Sequence, residues 1–95
     1  MIRKYELMAI FIPELEEDAM EKEIEKLKDL ISSKGGEVEK VDNWGKRRLA
    51  YEIKKKKEGI YVVINFSLPP NEVLNIKSVL KLDENILRFM IIKEE

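Results

Sequence analysis

An α+β fold is what this 95-residue sequence predicts, with its elements in the order strand, helix, strand, strand, helix, strand. Two observations carry that expectation. Apolar residues recur with period two in some stretches and with a helical period in others, and the two kinds of stretch follow one another in that order. Turn-forming residues separate them: Pro13, Gly35-Gly36, Pro69-Pro70-Asn71 and Asp83-Glu84-Asn85.

Residues 3–12 read RKYELMAIFI, in which Tyr5, Leu7, Ala9 and Phe11 alternate with Lys4, Glu6, Met8 and Ile10, the side-chain period of a strand that Pro13 ends. From Glu16 or Asp18 onward, Met20, Ile24, Leu27 and Ile31 form one stripe along an amphipathic helix. Acids crowd its first turns, where they complement the positive end of the helix dipole, and Gly35-Gly36 stops it. Residues 37–53 exceed an ordinary strand and their alternation fails around Asn43-Trp44-Gly45, which predicts one long strand with a bulge or bend there. Residues 54–59 are expected to form a charged hairpin tip. The next strand has Ile60, Val62, Ile64, Phe66 and Leu68 on one face and Tyr61, Val63, Asn65 and Ser67 on the other. Pro69-Pro70-Asn71 opens a shorter helix that turns Val73, Ile76 and Leu80 inward, and residues 86–93 make the last strand.

That order is the split β-α-β repeat of ferredoxin-like folds. Right-handed crossovers then give a four-stranded antiparallel sheet of order 4-1-3-2, with both helices on one face. Residues 1–95 are expected to be a single domain, with a modest core and no deep substrate cleft.

Composition narrows the function. Without cysteine there are no disulfides or thiolate metal sites, and without histidine the commonest general base and metal ligand are gone, so catalysis, cofactor and metal are all unexpected. The first residues lack a signal-peptide core and no apolar run approaches a membrane span, so a soluble, cytoplasmic protein is expected. A high charged fraction with no Gln or Thr leans toward the composition of heat-resistant proteins. The net charge of -1 conceals a polarity: from Glu14 to Lys34 acids outnumber bases eight to four, while from Lys46 to Lys57 there are seven bases and one acid.

The sheet face away from the helices should display Met8, Ile10, Tyr61, Val63, Met90 and Ile92, too apolar a set for water alone. A protein partner is the expected cover, the alternative being termini or long side chains folding over it. Only Tyr61 among the aromatics is expected to project outward there, so RNA read by base stacking is not anticipated, and any RNA contact should be to phosphates and structured RNA. The footprint for phosphate is Lys46, Arg47 and Arg48, followed by Lys54, Lys55, Lys56 and Lys57 at the tip, although four lysines in a turn also serve simply as a solvated loop. Arg47 and Arg48 are neighbours in a strand, so one must face the open side or edge, where a guanidinium can grip phosphate in bidentate fashion. Arg88 has the same choice, or can pair with Glu6 on a neighbouring strand. An acylphosphatase-like enzyme on this fold would need an anion-cradling loop after the first strand, and Pro13-Glu14-Leu15-Glu16-Glu17 repels anions. A regulatory small-molecule domain has no motif behind it.

The run Gly45, Arg47-Arg48-Leu49-Ala50-Tyr51 and Ile53 resembles the hallmark of the bacterial small-subunit ribosomal protein number six family. Arg3-Lys4-Tyr5-Glu6, Val38-Glu39-Lys40-Val41 and Asn85-Ile86 with Arg88, Met90 and Lys93 agree at the right spacing. The resemblance implies a non-catalytic protein of the small ribosomal subunit that joins ribosomal protein number eighteen and binds with it to the central domain of 16S ribosomal RNA, without a small-molecule substrate or a membrane. It makes Arg3, Lys4, Arg47, Arg48, Arg88 and Lys93 the matching basic positions for RNA. Glu52 stands where the family usually has proline, and Leu87 where a second basic residue often accompanies Arg88. The sequence ends at Glu95, where many members continue, so partner contacts made by such a tail are not expected. A chain this close to neutral should bind RNA poorly by itself, a basic partner supplying most of the phosphate neutralisation.

Overall fold

Alternation along the first and third strands builds the core in the computed structural model, which describes residues 1–94. In β1 (Arg3–Phe11), Tyr5, Leu7, Ala9 and Phe11 are buried. In β3 (Lys56–Leu68), Ile60, Val62, Ile64, Phe66 and Leu68 are buried on the same side. The two strands are antiparallel neighbours with Tyr5 opposite Phe66 and Leu7 opposite Ile64. β2 (Glu37–Ile53) and β4 (Ile86–Lys93) flank them, giving the order β2-β3-β1-β4, which is the expected 4-1-3-2 read from the other edge. Every neighbouring pair is antiparallel.

Both helices cover the face that carries this core. α1 (Glu17–Ser33) contributes Met20, Leu27 and Ile31, and α2 (Val73–Lys81), entered through a 3-10 turn at Pro70–Glu72, contributes Ile76 and Leu80. α1 ends as its glycines demand. Gly35 takes φ 84°, and the Gly35 and Gly36 amides donate to Ser32 and Ile31 carbonyls at 3.1 and 3.0 Å, closing the orphan carbonyls of the last turn.

The stripe on α1 differs from expectation in one place. Ile24 lies half-buried at its margin, while Glu23 takes a buried position. The hairpin differs more. In place of a tip spanning residues 54–59, the turn is only Lys54-Lys55, with Ile53 paired to Lys56 and Arg48 to Glu58. Charged composition suggests a loop there, yet an edge hairpin accepts lysine and glutamate readily because its side chains stay in water. The bend in β2 occurs where the alternation fails: the register shifts between Asn43 and Gly45, Gly45 takes φ 81°, and its amide donates to Asn43 Oδ1 at 2.8 Å.

Candidate protein and nucleic-acid interface

The six residues expected on the open face do lie together. Met8 of β1 is opposite Val63 of β3 and Met90 of β4, Ile10 is opposite Tyr61 and Arg88, and Ile92 is opposite Glu6. Their accessibility is uneven. Met90 is 52% and Ile92 48% exposed, and Met8 and Tyr61 are half-buried, but Ile10 and Val63 retain only 9% and 6%. The expectation of an open patch therefore needs correcting at Ile10 and Val63. A second small cluster explains Ile10: Leu49 and Leu87 bury it, with Ile12, Ile53 and Tyr61 packed around them. The far half of β2, beyond its bend, has folded over one end of the sheet. Gly59 permits that approach, since a Cβ there would run into Ile10 Cγ2 and lie 3.2 Å from the Phe11 carbonyl oxygen. Tight packing of this kind leaves no room for even one added methyl.

The same folding-over brings in aromatic residues that the sequence did not place there. Trp44 stacks on Tyr61, with ring centroids 6.3 Å apart and planes 9° from parallel. The Arg47 guanidinium lies 5.9 Å from the Trp44 ring, and its Nε donates to the Trp44 carbonyl at 3.4 Å. Arg88 is aimed at Tyr51: its Nη1 donates to the hydroxyl and its guanidinium lies 6.0 Å from the ring. It does not pair with Glu6, and the expectation that Tyr61 would be the only outward aromatic fails. Each register shift exchanges the two faces of a strand, so parity read from the start of β2 cannot be carried past Gly45 to Tyr51.

The basic residues divide into two groups. Arg3, Lys4 and Lys93 gather at one end of the sheet, around a shallow depression that Ile2 and Glu94 complete. Lys46, Arg47 and Arg48 pair across from Ile60, Gly59 and Glu58 at the other end, with Lys54 and Lys55 at the tip. Ile10, opposite Arg88, lies six steps along β1 from Lys4, a span of about 20 Å. Two of these lysines are engaged within the chain: Lys4 approaches Glu39 at 3.7 Å, and Lys56 donates to Glu14 at 2.6 Å. The hydrogen bond from Lys56 holds the Glu14 carboxyl below its ordinary range.

One cluster on the helix side is signalled in the sequence only by Glu23, an acid at an inward position of α1. Glu23 accepts from Asn85 Nδ2 at 3.0 Å, and the Asn85 amide donates to Asp83 Oδ1 at 2.9 Å. Lys26 Nζ lies 3.4 Å from Glu23 Oε2 and 3.2 Å from Asp83 Oδ2. Glu23 Oε1 has no hydrogen-bond partner among the described residues, and Asp83 Oδ2 meets Lys26 as an ion pair without a hydrogen bond. Burial, and then the neighbouring Asp83, push the Glu23 carboxyl above its ordinary value. Burial acts in the same direction on Asp83, but hydrogen bonds from Glu23 and the Asn85 amide, with Lys26 beside it, hold it below. The two carboxyls respond in opposite directions as one shared site, which joins α1 to the turn before β4 through Lys26 and Asn85.

Among the described residues no three His, Cys, Asp or Glu side chains are grouped to hold a metal, and no helix is long and apolar enough to cross a membrane. A four-stranded sheet backed by two helices, whose other face carries apolar, aromatic and arginine side chains, defines a ferredoxin-like α+β sandwich with one face open. Residues 4–93 match the family model described as ribosomal protein S6. Small ribosomal subunit protein bS6 of Arthrobacter sp. is 49% identical over 94 residues, covering 99% of this chain and 93% of that protein. The corresponding protein of Carboxydothermus hydrogenoformans is 44% identical over 95 residues, covering 100% and 99%. The crystal structure of 30S ribosomal protein S6 from Thermotoga maritima superposes with a TM-score of 0.93 at 32% identity, covering 99% of this chain and 89% of that one. The chain belongs to the ribosomal protein S6 family. It is a structural constituent of the bacterial small ribosomal subunit, a cytoplasmic ribosome component and not an enzyme.

Proposed function

We propose that this chain, folded as one domain, binds the central domain of 16S ribosomal RNA as half of a pair with small-subunit ribosomal protein number eighteen. The observation that carries this is a division of labour on the sheet. Met90 and Ile92 are exposed beside Met8, an apolar belt that water solvates poorly, while exposed cations flank it at both ends. The belt, with Tyr61 at its rim, takes the protein partner. Ile10 and Val63 support it from beneath. Arg3, Lys4 and Lys93 at one end, and Lys46, Arg47, Arg48, Lys54, Lys55 and Arg88 at the other, contact phosphate. Lys56 joins them only by giving up Glu14.

A net charge of -1 supports the need for a partner, because phosphate neutralisation drives most of the affinity for RNA. The test is the double variant Met90→Lys, Ile92→Lys. Both positions are exposed, so the melting temperature should stay within about 3 °C of the parent, since surface changes usually move stability by under ~0.5 kcal/mol. Pairing with ribosomal protein number eighteen, followed by sedimentation, should weaken at least about tenfold, equivalent to about 1.4 kcal/mol of binding free energy. Unchanged pairing would remove the belt from the interface.

A further inference from the structure

The corner of the open face where β2 bends has a geometry that phosphate contacts and an apolar belt do not require. Trp44 is the only tryptophan of the chain, and it belongs to neither buried cluster: 46% of it is exposed. An indole whose purpose was core packing would be covered, because its large apolar surface is what makes burial favourable. Here the ring is instead held in one orientation while open to solvent. The Gly45 turn, with its bond to Asn43, fixes the backbone; Tyr61 lies parallel beneath; Arg47 is anchored to the Trp44 carbonyl. The three side chains after Gly45 are exposed cations, Lys46, Arg47 and Arg48. The neighbouring acid, Asp42, is turned to Lys40 at 3.4 Å.

A flat, oriented aromatic surface beside exposed cations matches single-stranded nucleic acid, in which a planar base alternates with an anionic phosphate along one backbone. We infer that Trp44, backed by Tyr61, is a stacking platform for one unpaired nucleobase of the RNA, with Arg47 taking a flanking phosphate. The inference rests on the reading of the basic strand as RNA-facing, and goes beyond it by assigning a base contact to a region otherwise expected to touch phosphate alone. Arg47 is then a switch in local terms: in the free chain its guanidinium occupies the neighbourhood of the ring, and in the complex it moves to phosphate and leaves the indole to the base. Stacking is tolerant of base identity, so the contact fixes a strand in position without reading its sequence.

The experiment uses the full chain with ribosomal protein number eighteen and a central-domain fragment of 16S ribosomal RNA, titrated at several salt concentrations. Trp44→Leu should weaken RNA binding about 5- to 100-fold, and Trp44→Phe, which keeps a ring, by no more than about threefold, in line with stacking on an aromatic side chain. The slope of log affinity against log salt should be unchanged in both. In the variant Arg47→Ala it should fall by about one, for the phosphate left without its arginine. Thermal melts of each variant establish that it is folded. If Trp44→Leu binds like the parent while the arginine variant is weakened, the platform is excluded and the RNA-facing reading survives. If neither variant matters, both fall. Loss of pairing by Trp44→Leu in the absence of RNA would assign the indole to the protein interface and overturn the inference.

Discussion

Glu23 is the residue whose chemistry departs furthest from what its position in the sequence suggests. It lies three residues after Met20 and four before Leu27, so helical geometry puts it on the inward face, where a carboxylate is expensive unless paired. Nothing local indicates the pairing, because its partners Asp83 and Asn85 come from the far side of the sequence. The pH dependence follows from the directions of the two shifts. Above Glu23's ordinary value of 4.5, the folded chain keeps a proton that the unfolded chain has lost, so stability falls as pH climbs from there through the raised folded value. Asp83, lowered from 3.8, adds stability that is present above that value and is lost as pH falls through the folded one. The cluster therefore stabilises most in weak acid. Glu23→Gln supplies an amide donor without a charge, and it should raise the melting temperature at pH 7.5 by about 4–8 °C, the equivalent of about 1 kcal/mol, with a smaller gain at pH 5. Equal gains at both pH values, or a loss at pH 7.5, would show that no proton is held there.

The β2–β3 hairpin is the element that decides how much of the sheet remains open. Its tip uses Lys54 and Lys55 at φ 49° and 67°, both left-handed, in the two-residue turn whose twist matches the flanking strands. Such a turn favours Asn-Gly, and a non-glycine residue in this region is disfavoured by about 1 kcal/mol or more. Replacing the pair, Lys54→Asn with Lys55→Gly, should raise the urea midpoint by an amount equivalent to about 1 kcal/mol with the m-value unchanged. A lower midpoint would mean that the lysines are held there by contacts other than the turn. Elements with unbroken periodicity were legible in the sequence: β1, β3 from Ile60 onward, and the stripe of α1. β2 was legible as one long bent strand, but not the destination of its second half. Burial of Ile10 beneath Leu49, and the arrival of Trp44 and Tyr51 on the open face, follow from successive register shifts, and side-chain parity does not survive those.

Across the whole molecule, charge is arranged by face and by end. The segment from Glu14 to Lys34, which includes α1, has eight acids to four bases, while Arg3, Lys4, Lys93 and the β2–β3 cations sit at the ends of the sheet. On the proposed function, a polyanion would meet repulsion from α1 and attraction at the sheet ends, which favours an orientation with α1 away from RNA. Topology and this polarity could be read from the chain, because crossover handedness and composition determine them. The same antiparallel topology places Arg3, Lys4 and Lys93 at the end opposite the hairpin cations, and strand register adds the distance between the two groups. The most direct test of dependence on a partner is a titration of central-domain 16S ribosomal RNA with this chain alone and with ribosomal protein number eighteen added. The chain alone should bind no more tightly than about 10⁻⁶ M at physiological salt, the level of non-specific association, and the pair at least about 100-fold more tightly. Nanomolar, salt-insensitive binding by the isolated chain would contradict it.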